Sequence, residues 1–262
     1  MSRLPLIAHL DADAFFVSCE LSMKPELRGT KCAVGGRERG IISSASYEAR
    51  ACGVYTPMPT KLALKVCPDL ILLPHTSGIY SKKSREMFDL CETITPVVQR
   101  NSIDEGYLDL GPCGFKTAAE IERRMRALQQ RIWDDLQIPT SFGIAANKLV
   151  SAIASKARKP RGFTVVPPGD EAAFLAPLKI SVIPGVGKKS EERLAAQGIR
   201  LVSDLFTRSE SELKALFGSG WQEMLVMARG EDDRPVHTDH EDAKSYSVQE
   251  TFGDNVFFWH GL

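Results

Sequence analysis

The sequence predicts an α+β fold in which a mixed sheet with packed helices is followed by an all-helical segment. Three observations lead there. Short apolar runs of strand length alternate with helical patterns as far as Val166. Two of the strand-like runs adjoin acidic clusters, Asp11-Ala12-Asp13 and Asp104-Glu105. Beyond Pro167-Pro168 only short helical stretches remain, which sets a domain boundary near residue 168.

In chain order, Leu6–Leu10 is a short apolar run that reads as a buried strand. Residues 14–23 place Phe15, Cys19 and Leu21 at roughly helical intervals, with Asp13 positioned to cap that helix. Lys31–Val34 and Gly40–Ser44 read as strands joined through the Gly35-Gly36 turn signal. Short helices are expected over Tyr47–Cys52 and Thr60–Val66, separated by Pro57 and Pro59. A strand over Leu70–Leu73 and a helix over Ser81–Thr93 follow. Val97–Ile103 and Tyr107–Leu110 read as antiparallel strands flanking Asp104-Glu105-Gly106. Ala118–Leu136 is a long helix with Ile121, Met125, Leu128 and Ile132 on one stripe. Thr140–Ala145 (strand), Lys148–Ala157 (helix) and Gly162–Val166 (strand) complete the unit, with helices expected on one side of the sheet.

The 262 residues suffice for one large domain or two smaller ones. With 43% hydrophobic and 25% charged residues, the composition is globular and excludes a disordered or collagen-like chain. No apolar run approaches the roughly 18 residues of a membrane span, and Asp11 and Asp13 come too early for a secretory signal. The six cysteines contain no CxxC pair and the five histidines no HExxH motif, so reduced thiols and no zinc site are expected. The 33 basic and 33 acidic side chains cancel, which at first argues against a nucleic-acid partner. Their distribution reverses that argument. Residues 1–147 carry a net +1, residues 148–208 a net +6 and residues 209–262 a net −7. Screening over about 8–10 Å means that a ligand meets the local excess.

A carboxylate at the end of a buried strand must find cations, donors or water. Asp11-Ala12-Asp13 therefore reads either as a strand-end turn or as half of a cation site. Asp104-Glu105 supplies the other half if the chain turns there, a role assigned to Gly106 because neighbouring strand residues face opposite ways. Oxygen-only ligands suit Mg²⁺, and paired ions activate a nucleophile while stabilising a leaving oxygen. Ser43–Arg50 places hydroxyls, a phenol and a guanidinium around a helix start, with Tyr47 and Arg50 on one helical face. That face suits either solvent or a triphosphate. Phe15-Phe16 reads as core packing, or as a ring stacked on a sugar. Ile183–Lys189 followed by Ser190–Gly198 reads as a helix–hairpin–helix whose glycines open backbone amides to a phosphate.

Asp11-Ala12-Asp13-Ala14-Phe15-Phe16, Tyr47-Glu48-Ala49-Arg50, Ser102-Ile103-Asp104-Glu105 and Lys159-Pro160-Arg161-Gly162 stand in one order and spacing. Together they resemble the Y-family translesion DNA polymerases of the DNA polymerase IV type, from about Leu6 to the end of the chain. The resemblance implies a ferredoxin-like palm (1–22 and 77–168), a fingers insertion (23–76), a helix–hairpin–helix thumb (169–232), and a linker with the start of a little finger (233–262). It implies that Asp11, Asp104 and Glu105, with the Ala12 carbonyl, hold two Mg²⁺ ions. It gives Phe16 the role of steric gate. Ser44, Tyr47, Arg50 and Lys159, with backbone amides of Ala14, Phe15 and Phe16, become triphosphate contacts, and Gly185, Gly187, Lys188 and Lys189 become DNA contacts. Ala12 stands where the family often has a larger apolar residue, and Gly106 where it commonly has alanine.

Lys244–Phe252 resembles the opening strand of the little finger, most of which is expected to be missing from a fragment or truncated product. The implied activity is template-directed nucleotidyl transfer from a dNTP to a primer 3′-hydroxyl, by a cytoplasmic, chromosome-associated monomer. Primer-template DNA is its partner, together with a sliding clamp reached through the missing C-terminal region. The rival readings are a catalytically silent polymerase relative that binds DNA as an accessory, and a cyclase built on a similar palm.

Overall fold

The computed structural model describes residues 4–36, 39–238 and 247. In chain order the elements are β1 (Ile7–Ala12), α1 (Phe15–Met23), β2 (Cys32–Gly35), β3 (Ile41–Ala45), α2 (Tyr47–Ala51), β4 (Met58–Pro59), α3 (Thr60–Val66), β5 (Ile71–Leu73) and α4 (Ile79–Glu92). They continue with β6 (Val98–Arg100), β7 (Glu105–Asp109), α5 (Ala118–Leu136), β8 (Thr140–Ala145), α6 (Lys148–Lys156) and β9 (Phe163–Val165). The helices α7 (Glu171–Leu175), α8 (Lys188–Ala196), α9 (Glu210–Phe217) and α10 (Trp221–Ala228) complete the series, with short 3₁₀ turns between them. The chain divides into a first unit of Met1–Asp13 and Ser84–Thr238 and a second built on Ala14–Lys83. None of the described helices is long and apolar enough to cross a membrane.

The first unit holds a five-stranded sheet ordered β6-β7-β1-β8-β9. β1 is central, antiparallel to β7 and β8, while β9 runs parallel to β8. Every residue of β1 after Ile7 is buried, as a strand covered on both faces requires. Helices accordingly lie on both faces, which corrects the expected one-sided arrangement. α6 covers the face of His9 and Asp11, because Gly143 pairs with His9 and a Cβ there would lie 2.0 Å from the Ser151 carbonyl oxygen. The opposite face is reached by α4 at Gly106, the partner of Leu10, where a Cβ would lie 2.7 Å from the Phe88 ring and from the Gln99 carbonyl.

α5 follows the sequence expectation, burying Ile121, Met125, Leu128, Ile132 and Leu136 on one stripe. Thr117 caps it by accepting the Glu120 N–H at 3.1 Å. Gln129 fastens it to the strand ends by donating to the carbonyls of Thr140 (2.7 Å) and Gly162 (3.1 Å). The C-terminal helices share one apolar core with α6, in which Leu149, Val150 and Ile153 pack with Leu175, Ile180, Leu194, Val202, Leu205 and Leu213.

In the second unit a sheet ordered β4-β3-β2-β5 carries α1, α2 and α3. Pro59, expected only as a breaker, lies in the two-residue edge strand β4, where no ladder donor is demanded of it. Other expectations shift as well. α1 begins at Phe15, its cap position is Ala14 in a left-handed conformation (φ 47°), and no side chain caps it. Asp13 is instead bound within the first unit by Ser141 and Arg161. The strand expected over Val97–Ile103 contracts to β6 because residues 101–104 form a turn. The helix expected from Ser190 begins at Lys188. Lys244–Phe252 lies outside the described residues.

Candidate active site

The acidic clusters meet through strand register. Asp11 and Glu105 are direct partners across β1 and β7, so their side chains leave the sheet on one face. Next to them the Ala12 N–H donates to the Asp104 carbonyl at 2.8 Å. The turn that presents Asp104 is built on Ser102. Its hydroxyl accepts the N–H groups of Asp104 (3.3 Å) and Glu105 (3.1 Å) and donates to Asp104 Oδ1 at 2.5 Å. The N–H groups of Asn101 and Ser102 donate back to the Glu105 carbonyl. Gly106, expected to supply this turn, lies inside β7 and admits the close approach of Phe88 and Gln99.

Lysines balance these carboxylates. Lys159 Nζ is hydrogen-bonded to Asp11 Oδ1, and Lys156 Nζ lies 3.4 Å from Glu105 Oε2. Burial pushes the Asp11 pKa above its ordinary value, against the pull of Lys159. Burial also pushes Glu105 upward, but Lys156 and its other polar neighbours outweigh it and hold the carboxyl below the ordinary glutamate value. Behind them Asp13 is fully buried. It accepts from Ser141 Oγ (2.9 Å) and the Arg161 N–H (2.8 Å), with Lys159 Nζ at 3.6 Å. His9 hydrogen-bonds Ser155 at 2.8 Å and stands 3.9 Å from Glu105. Burial lowers its pKa to about 4, so the imidazole is neutral at pH 7.

Sequence reasoning missed Lys156, Ser102, Ser141 and His9. For Lys156 a signal existed, its three-residue spacing from Lys159 at the end of a helix. Ser141 became visible only through register, as the β8 partner of Asp11.

Among the described residues no three His, Cys, Asp or Glu side chains form a closed metal cage. The donors nevertheless fit a hard divalent cation. They are oxygens only, two of them are in direct cross-strand register, and their charge is balanced by lysine side chains on flexible stems.

The second unit carries the predicted residues Phe15, Phe16, Ser44, Tyr47 and Arg50. Ser46 caps α2 by accepting the Ala49 N–H at 3.2 Å. Arg50 lies over the Tyr47 ring, 4.9 Å from its centroid, and donates from Nε to the Ala45 carbonyl. The expected shared face is therefore formed. Ser44 is buried in β3 opposite Val34. Phe15 is buried, whereas Phe16 packs edge-on against Tyr80 (4.8 Å) with His75 at 6.1 Å. Tyr80 donates to Glu20 at 2.6 Å, and Thr76 donates to the same carboxylate from its N–H and its hydroxyl, both at 2.9 Å. Glu20 is completely buried.

In the helical segment Gly185 takes a left-handed conformation (φ 88°) and Gly187 occupies the α8 cap position with no side-chain cap. A Cβ at either glycine would meet nothing within 4 Å, so the backbone is open to approach. Lys188 and Lys189 occupy the first turn.

The sequence pattern of the impB/mucB/samB family matches residues 10–156, and that of the DNA polymerase-iota thumb domain matches residues 181–232. A DNA polymerase IV from Xanthomonas euvesicatoria is 41% identical over 95% of this chain and 69% of its own length. The chain belongs to the Y-family DNA polymerases of the DNA polymerase IV type. A DNA polymerase IV from Opitutus terrae is 72% identical over 97% of this chain, which spans 65% of that relative. Among solved structures, an insertion ternary complex of Dbh DNA polymerase has a TM-score of 0.81 at 29% identity, covering 88% of this chain and 69% of that one. DinB from Sulfolobus solfataricus gives 0.80 at 29% identity with the same coverage. These Y-family neighbours carry the fold class read from the sequence, mixed sheets with helices and a helix–hairpin–helix thumb.

Proposed function

We propose that this chain is the catalytic part of a translesion DNA polymerase, transferring nucleotidyl groups from a dNTP to a primer 3′-hydroxyl under template direction. The observation that carries this reading is the direct register of Asp11 and Glu105, with the Asp104 turn tied to Ala12, in a chain of this family. Asp11, Asp104, Glu105 and the Ala12 carbonyl would hold two Mg²⁺ ions. The ions would supply activation of the attacking oxygen and stabilisation of the leaving one. Ser102 fixes the Asp104 carboxylate. Lys159, now the counter-ion of Asp11, offers its amine to a triphosphate once the carboxylate serves a cation.

Tyr47, Arg50 and Ser44 are the proposed triphosphate contacts of the second unit, helped by amides at Ala14, Phe15 and Phe16, where α1 starts without a side-chain cap. Phe16 is the proposed gate against a 2′-hydroxyl. Gly185, Gly187, Lys188 and Lys189 would hold DNA phosphates without reading sequence, so binding should weaken steeply with salt. The palm, fingers and thumb boundaries, a monomeric state, a cytoplasmic, chromosome-associated setting and a sliding-clamp partner complete the reading on the strength of the family resemblance.

Single-nucleotide insertion on a primed template with Mg²⁺ tests it. Wild-type extension should disappear in Asp104→Ala and Glu105→Ala. Equal extension by all three would remove the carboxylates from the reaction.

A further inference from the structure

The second unit contains a cluster that the polymerase reading does not use. Cys52 ends α2 and Cys67 ends α3, each as the C-terminal cap residue. The ends of the two helices adjoin, since a Cβ on Gly53 would lie 3.3 Å from Val66 Cγ1. Both thiols border one apolar cluster formed by Ala33, Ile42, Ala49 and Val54. Cys52 packs against the cluster that holds Cys67, and its thiol neighbours the Cys67 thiol and the Lys31 amine. Cys67 Sγ in turn donates to Asp69 Oδ1 at 3.4 Å, and Lys31 Nζ holds the other Asp69 oxygen at 2.7 Å. Cys91 is wholly buried, Cys113 donates to the Ile94 carbonyl, and Cys32 lies 3.1 Å from the Thr30 hydroxyl.

We propose that Cys52 and Cys67 form a peroxide-responsive dithiol that closes reversibly into a disulfide joining the ends of α2 and α3. Cys52 is half-buried and Cys67 buried, so Cys52 meets the oxidant. Its sulfur attacks one oxygen of a hydroperoxide, the O–O bond breaks, and water (or the corresponding alcohol) leaves with the thiol proton, giving the sulfenic acid. Cys67 sulfur then displaces the sulfenic oxygen. Its proton passes by way of Asp69, which already accepts that S–H, to the departing hydroxide, which leaves as water. The two sulfurs lose two electrons in all, and the peroxide gains them. Burial and the Asp69 carboxylate raise the Cys67 pKa to about 11, which suits a thiol that waits for the sulfenic acid instead of reacting first. The bridge would tie down the end of the helix that carries Tyr47 and Arg50.

The test treats the full chain with hydrogen peroxide, blocks remaining thiols by alkylation, and maps the peptides. The expected result is loss of two hydrogens from the intact mass, a Cys52–Cys67 linked peptide, and recovery of both thiols with a dithiol reductant. In Cys52→Ser, and separately in Cys67→Ala, the linked peptide should be absent while circular dichroism shows the fold retained. Oxidation of Cys52 to the sulfinic acid with Cys67 still free would overturn the proposal, as would a bridge to another cysteine or thiols that survive peroxide unchanged.

Discussion

Gly143→Ala is the substitution through which the fold most directly controls the site. The added methyl would start 2.0 Å from the Ser151 carbonyl oxygen, 2.3 Å from the Ser155 nitrogen and 2.9 Å from the Ala154 carbonyl carbon. All three are backbone atoms of α6, so no side chain can rotate away. An ordinary contact needs about 3.5 Å, so α6 must retreat from β8 by about 1.5 Å. That retreat opens the packing of Leu149, Val150, Ile153 and Ala154, which lie in one buried core with Leu175 and Leu194. It also draws Ser155 from His9 and Lys156 from Glu105. Overpacking typically costs about 1–3 kcal/mol, and a backbone collision belongs at the upper end. At about 3 kcal/mol, a chain of this size should lose about 6–12 °C in Tm. Differential scanning calorimetry of Gly143→Ala beside Gly220→Ala measures it, because a Cβ at Gly220 meets nothing within 4 Å. A Tm for Gly143→Ala as close to wild type as that of the control would show that this glycine does not set the seat of α6.

Three further outcomes follow from named contacts. Ser102→Ala removes the hydroxyl that orders Asp104 and Glu105, and should raise the Mg²⁺ needed for half-maximal insertion by about tenfold; an unchanged Mg²⁺ titration would refute that role. Glu20→Gln sets an amide against a carboxylate site that receives three donors, costing about 1–3 kcal/mol. It should also narrow the preference for dNTP over rNTP by loosening Tyr80 behind Phe16, which steady-state insertion kinetics with both nucleotides would show. Asp204 accepts the N–H groups of Leu201 and Arg200, both at 2.8 Å, and these hold its pKa below the ordinary aspartate value. Its stabilising contribution is therefore present above the unfolded pKa of about 3.9 and fades as pH falls through the folded value. The Tm deficit of Asp204→Asn should be evident at pH 7 and shrink below pH 4; a deficit independent of pH would exclude the charge as its source.

Local pattern and tertiary geometry determine different features of this protein. The stripe of α5, the strands over Thr140–Ala145 and Phe163–Val165 and the common face of Tyr47 and Arg50 were legible because neighbours two to four residues apart encode them. The order of the acidic and basic motifs was legible in the same way, and with it the family. Other features needed the folded chain. Asp13 has the residue type of a helix cap, yet Ser141 and Arg161, 128 and 148 residues away, hold its carboxylate. Gly106 has the residue type of a turn, yet it clears space for Phe88. Strand register put Glu105 opposite Asp11, helix packing delivered Lys156 to Glu105, and the adjoining ends of α2 and α3 brought two cysteines to one apolar cluster. Periodicity records which side of an element a residue occupies, and carries no information on what a distant element sets against it. The sequence by itself therefore determined which groups the protein has for its chemistry. The tertiary structure decided which of them are charged against, held by or shielded from one another, because burial and cross-strand register act between residues the chain keeps far apart.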